Sequence, residues 1–129
     1  MTFGEFKQEI LKIHNSVNME VFFQGLHKQR VEIVGEKVII IALNNRVKVL
    51  SIVDQCDSAV SRMVDQTLLM EFKRRFVKAV EERFGVPVMS LIKDYDPKLE
   101  MSVAVLFYTQ PVDELLPLMK LNKQESDKI

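Results

Sequence analysis

A two-layer α+β sandwich is the fold that the sequence predicts, on three observations. Near the start, Phe3, Phe6, Ile10, Ile13 and Val17 repeat apolar residues at helical spacing. Two stretches rich in β-branched residues, 30–43 and 86–108, are each interrupted once by turn chemistry and read as hairpins. Between them, SAVSRMVDQTLLMEFKRRFVKAVEERF runs without Gly or Pro and stops at Gly85, with Pro87 just beyond, which marks one long helix. The expected architecture is a mostly antiparallel sheet of two β-hairpins, packed against the N-terminal helix and the long central helix, whole or broken. Residues 1–119 form a single domain in this reading, and the polar stretch 120–129 is a flexible tail.

The composition narrows the function classes. Hydrophobic residues make up 47% and charged residues 28% of the 129-residue chain, a globular balance that supports one core. Lys+Arg and Asp+Glu number 18 each, so the broad positive footprint of a nucleic-acid binder is missing and no nucleic-acid partner is expected. The single Cys56 has no disulfide partner within the chain, which fits a reducing cytosol. No positively charged start leads into an apolar run, so a secretory signal is not expected. The longest apolar run, Val38 to Leu43, is too short to span a bilayer. A cytoplasmic protein follows, without direct membrane insertion and at most peripheral to a membrane.

Taken in order, the first helix carries Glu5, Lys7, Gln8, Glu9 and Lys12 opposite its apolar stripe. That mixture of signs favours packing on the protein's own sheet over lying on a lipid surface. The helical signal weakens at Asn15, Ser16 and Asn18, resumes, and is expected to end near Gly25. In the first hairpin, Val31 and Ile33 alternate with Arg30 and Glu32, while the run after Gly35-Glu36 is apolar on both faces and belongs at the centre of the sheet. Arg46 to Val49 alternate again, as a short third strand or an extended lead-in. Ser51 with Asp54 offers a loose capping box, so helix is expected from near Ile52.

Residues 52–84 as one rod would reach on the order of 50 Å. The apolar phase argues against a single buried stripe. Cys56, Val60, Met63, Val64 and Leu68 share one side, and Phe72, Phe76, Ala79, Val80 and Phe84 share another, roughly 150° away. The helix therefore breaks near Asp65-Gln66-Thr67, or its two halves bury against different partners, a dimer interface on the first half being one solution. After the second hairpin, Pro111 precedes a short helix cut by Pro117.

Chemistry is thinly marked. In Asp94-Tyr95-Asp96-Pro97-Lys98 the paired acids, with Glu100 nearby, suit a hard cation, but Asp followed by Pro also suits a type I turn, and the turn is preferred. Cys56 near a helix start is either an activated thiol or, the preferred reading, a small buried hydrophobe. His14 and His27 lack neighbours at ligand spacing, and the chain holds no phosphate loop, nucleophile elbow or HExxH motif. No catalytic residue, metal or cofactor is expected. Arg62, Asp65 and their neighbours give the long helix a charged face, and Arg46 stands alone between apolar runs, where an anion or the acids of the Asp94 turn would pair with it. The candidate ligand or partner contacts are Arg46, Arg62, Asp65, Asp94, Tyr95 and Asp96.

The order helix, hairpin, long helix, glycine stop and second hairpin resembles the MpsC family of bacterial proteins. FKRRFVKAVEERFGVPVMSLIKDYDPKLEMSVAVLFY is similar to that family's helix, glycine, Asp-ended strand and closing strand, and EILKIHNSVNMEVFFQGLHKQRVEIVGEKVIIIAL is similar in layout. Leu26-His27 stand where the family commonly has Gly-Pro, and Leu50-Ser51 where it has Leu-Thr. The resemblance covers about residues 8–110 and brings no catalytic residues with it. It implies association with a sodium-translocating, membrane-potential-generating system. The expected function is thus a non-enzymatic accessory or interaction protein, homodimeric through the first half of the long helix or a sheet edge, with a membrane transport complex as partner. The alternative is a small-molecule or anion-binding regulatory domain.

Overall fold

The computed structural model describes residues 1–119, so the expected tail, 120–129, lies outside the described residues. Helix α1 (Phe3–Phe22) leads into strands β1 (Lys28–Val34) and β2 (Lys37–Leu43), then helices α2 (Lys48–Cys56) and α3 (Ser58–Phe84). Strands β3 (Ser90–Asp96) and β4 (Met101–Phe107) follow, then the short α4 (Val112–Leu115) and a 3-10 turn (Leu116–Leu118). The four strands form one antiparallel sheet in the order β1-β2-β4-β3. This is the expected α+β arrangement, with β2, apolar from Val38 to Leu43, inside the sheet.

Local chemistry sets the boundaries. Thr2 and Glu5 form a reciprocal capping box that starts α1. The helix ends at Phe22 rather than near Gly25, because Phe23 turns left-handed (φ 60°) and Asn15 and Asn18 hold the exit. Asn15 Oδ1 accepts from the Leu26 N–H, and Asn18 Nδ2 donates to the Gln24 carbonyl. The polar residues that weaken the helical signal therefore cap the loop beyond it and leave α1 uninterrupted. Gly35 (φ 59°) makes the first hairpin turn and Gly85 (φ 71°) ends α3, both in the conformation glycine tolerates best. Asp96 closes the second turn by accepting from the Lys98 and Leu99 N–H groups, so the preferred turn reading of the Asp94 segment holds.

The long helical region does break, but not where the phase change suggests. Arg46 to Val49 are neither strand nor extended lead-in throughout, since helix α2 already begins at Lys48. Ser51 lies inside α2 and caps nothing. The break falls at Asp57, whose extended backbone ends α2 and whose carboxylate caps α3 through the Ala59 and Val60 N–H groups. From there α3 runs uninterrupted past Asp65-Gln66-Thr67 for 27 residues. Its two halves meet different surroundings, and only the second has its apolar stripe buried, so burial of the first against a partner is not among the contacts of the described residues.

The second half of α3 lies over the sheet. Phe72, Phe76, Val80 and Phe84 are fully or almost fully buried against Phe6 and Ile10 of α1 and the sheet residues Val38, Ile40, Ala104 and Leu106. Phe6 and Phe84 have ring centroids 4.8 Å apart, and Phe72 stacks on Phe76 at 5.6 Å. Glu9 and Arg83, 2.6 Å apart, tie the two helices together at the rim. The first half of α3 instead leaves Val60 45% and Met63 70% exposed, beside the returning α2. Cys56 is exposed, not the buried small hydrophobe preferred from sequence, because it ends α2 on the solvent side. No helix among the described residues is long and apolar enough to cross a membrane.

Among the described residues, only one face of the sheet is covered. Residues 31, 38, 40, 42, 91, 104 and 106 point toward α1 and α3 and are buried. The other face alternates outward and carries Val34, Ile39, Ile41, Leu43, Ile92, Met101, Val103, Val105 and Phe107. Among these, Ile92 is 59% and Leu43 42% exposed.

The position of the break is open to test. In urea unfolding, Asp57→Ala lowers stability by about 1 kcal/mol through loss of the α3 cap, whereas Ser51→Ala changes it by less than about 0.5 kcal/mol.

Candidate functional site

Where β2 leaves the sheet, the chain must turn through Asn44-Asn45 before α2 can fold back onto α3. Arg46 organises that turn. Its backbone N–H donates to Glu100 Oε2 at 2.6 Å, which ties the loop to the β3–β4 turn. Its guanidinium donates to Asp54 of α2 through Nε (3.0 Å) and Nη2 (2.8 Å), and to Asp65 of α3 through Nη1 (2.6 Å) and Nη2 (2.8 Å). Ser61 Oγ accepts from Nη2 at 3.0 Å and donates to Asp54. One arginine thus pairs with a carboxylate on each side of the Asp57 break, in the bidentate geometry a guanidinium favours. Its side chain is only 10% exposed.

The hydrogen bonds to Asp54 raise the Arg46 pKa above its ordinary value. The same pair, then Ser61, holds the Asp54 carboxyl down to about 2. Asp54 therefore favours folding above the usual carboxylate pKa, and that contribution is lost as pH falls toward 2. Tyr95 lies under the guanidinium, 5.9 Å from ring centroid to Cζ, and its hydroxyl donates to the Asn44 carbonyl. Burial, then the Glu100 charge, lifts that hydroxyl to about 12.

Behind this network lies a cavity of about 30 Å3, enough for a water or two. Its lining includes Asn18, Phe22, Asn44, Arg46, Leu50, Asp65, Lys93, Tyr95 and Ser102. Lys93 is its unusual member. Strand alternation puts Leu91, Lys93 and Tyr95 on the inward face of β3, so pairing with β4 buries an amine that is 5% exposed. Its Nζ lies 3.0 Å from His14 Nε2 and 3.4 Å from the centre of the Phe72 ring. His14 Nδ1 faces Gln29 Oε1 at 3.1 Å, and Gln29 Nε2 donates to the Leu11 carbonyl. Read along that chain, Gln29 accepts from His14 Nδ1–H, which leaves Nε2 to accept from Lys93.

Burial pushes Lys93 down to about 7, and burial together with the Lys93 charge pushes His14 down to about 3. The imidazole is thus neutral at neutral pH, and the amine is divided between its two forms. Asn18 Oδ1 and Asn44 Oδ1, both buried on the cavity lining, have no hydrogen-bond partner among the described residues. The arrangement offers a water-sized guest one amine donor and two amide acceptors within a largely apolar wall.

The residues singled out from sequence divide between the two sides of the sheet. Arg46 and Asp65 are brought together, with Tyr95 beneath them. Asp94 and Asp96 project from the open face and are exposed, so the acid of that turn that reaches Arg46 is Glu100, by way of the backbone N–H. Arg62 is exposed on α3 and does not line the cavity. From the sequence Asp54 carries only a capping role, which it does not play, while Lys93 is not singled out and His14 is given no role. The available signal for Lys93 is its place between Leu91 and Tyr95 in strict alternation, opposite the small face of Ser102 and Ala104. Among the described residues, no group of three His, Cys, Asp or Glu is placed to hold a metal ion. Comparison of the chain with protein-family models, curated proteins and solved structures finds no match.

The buried amine sets a pH dependence. Because its folded pKa lies below the unfolded value, the unfolded chain holds more protons between pH 7 and 10.5, and stability rises across that window. Lys93→Met removes the rise. Between pH 7 and 9.5 the unfolding free energy of the wild-type chain gains roughly 2–3 kcal/mol more than that of the variant, measured by urea titration at each pH.

Proposed function

We propose that this chain is a non-enzymatic interaction protein that works as a subunit of a larger assembly. The observation that carries this reading is the uncovered face of the sheet. Antiparallel sheets that face water on one side normally alternate apolar-in and polar-out. Here nine apolar side chains stand on the uncovered side, centred on Ile39, Ile41, Val103 and Val105. A contiguous apolar surface of that extent marks a binding face. The titratable groups of the cavity are, by contrast, engaged with one another, Arg46 with Asp54 and Asp65 and His14 with Gln29 and Lys93. That engagement supports a structural role for the Arg46 network over catalysis. The resemblance to the MpsC family suggests a membrane transport complex as the setting, with this chain as its accessory subunit.

The test places a charge on the open face. Ile41→Lys keeps the circular dichroism and unfolding cooperativity of the parent and loses retention of partners in affinity purification from membrane extracts. Undiminished retention by the folded variant contradicts the reading.

A further inference from the structure

The open face carries charges whose placement identifies what covers it. Across the sheet, strand register aligns four outward rows: Lys28–Leu43–Met101–Asp96, Arg30–Ile41–Val103–Asp94, Glu32–Ile39–Val105–Ile92 and Val34–Lys37–Phe107–Ser90. In the first two rows the β1 edge is basic and the β3 edge acidic, with an apolar pair between them. Such a row is complementary to itself turned end for end.

We propose that the occupant of the open face is a second copy of this chain, packed sheet to sheet about a two-fold axis that runs along the strands. Such an axis keeps each row in place and exchanges its ends. Arg30 then faces the partner's Asp94, Lys28 faces the partner's Asp96, and Ile41, Val103 and their neighbours meet at the centre. Each of the two row contacts occurs twice, as an isologous interface requires. A two-fold axis across the strands sets Arg30 over Glu32 instead, a residue it already pairs with in its own chain at 3.2 Å.

Two further observations agree. Beside Asp94 and Asp96 the face is recessed by about 310 Å3, with Met101 and Val103 in its wall, which suits an arginine stem and its guanidinium. Four seven-residue strands make a plate of roughly 400 Å2 in projection, and the relief of the side chains and the rim of the sheet supply the remainder of the roughly 800 Å2 that each partner gives to a standard interface if the packing is of that class. Two such sheets pack about 10 Å apart with strands aligned to within about 30°, a rotation that long Arg and Lys side chains can follow at the edges. Residues 120–129 contain only Leu121 and Ile129 as apolar side chains, a poor match for a face of this extent.

This inference rests on the open face being a binding surface, and the experiment separates the two claims. Sedimentation equilibrium of the full chain shows a dimer. Arg30→Asp and Asp94→Arg each raise its dissociation constant by about tenfold or more, because each variant sets like charges against one another in both symmetric pairs. An equimolar mixture of the two variants regains wild-type association as a heterodimer. In it the introduced acid at position 30 meets the introduced base at position 94, and the native Arg30 and Asp94 left on the two chains meet each other. Met63→Lys leaves association unchanged and Ile41→Lys abolishes it. A dimer indifferent to the charge reversals, or one that the mixture fails to restore, overturns this packing. A dimer lost in Met63→Lys and kept in Ile41→Lys moves the interface to α3 and overturns it as well. A wild-type chain that stays monomeric removes the second copy. The binding face itself then survives only if Ile41→Lys still releases a different partner.

Discussion

A four-stranded sheet has two faces, and the described residues supply helices for one of them. The rest of the structure depends on that imbalance. Helices α1 and α3 converge on the inner face and place their aromatic residues there, with Phe6, Phe72, Phe76 and Phe84 almost wholly removed from water. Burying such side chains contributes about 1.5–3 kcal/mol each, so the inner layer stabilises the fold. The outer face has the β-branched composition of a second core, and among the described residues no second layer covers it. Apolar area left in water gives up the same driving force, which is the physical ground for the proposed partner on that surface.

The Arg46 network answers a different need. After β2 the chain has to reverse into α2 and α3, and the Asp57 break interrupts the helical backbone between them. Arg46 joins the two helices by donating to a carboxylate on each, while Glu100 holds its backbone against the opposite hairpin turn. Removing one member of such a cluster leaves the remaining charges uncompensated, so the elements it joins are coupled through it. Close by, Lys93 is kept under the helices by register alone. Its place with Leu91 and Tyr95 on one face obliges the fold to bury an amine, and the neutral His14 and the Phe72 ring are the surroundings that accommodate it.

Much of this is legible in the residues. Hairpins are marked by β-branched runs interrupted at Gly35 and Pro97, and the end of α3 by Gly85. The change in apolar phase along 52–84 correctly separates a half committed to the sheet from a half that is not. The site of the break is harder to read because two signals compete. Ser51 resembles a cap, yet Asp57 does the capping, since only its backbone is extended where α2 must stop. Arg46 with Asp65 is a sound pairing of candidates, while Asp94 and Asp96, expected near Arg46, lie on the opposite side of the sheet. Strand alternation decides that side, and it becomes readable only once the inward face of β3 is known. Lys93 and His14 escape notice for the same reason. A lysine in a strand reads as solvent-facing until the pairing of β3 with β4 is fixed. The open face is equally hidden, because β2 reads as apolar on both sides whether or not a second layer exists.

The central claim is that the outer face of the sheet is covered when the protein assembles. Methyl relaxation by a soluble paramagnetic probe reads this directly in the full chain at concentrations where it self-associates. The methyl groups of Ile39, Ile41, Val103 and Val105 should then be as sheltered as those of the core residues Val38 and Ile40, while Val60 on α3 relaxes fast. If the outer-face methyls relax as fast as Val60 at every concentration, that face is not covered by a second copy, and the sheet-to-sheet packing is contradicted.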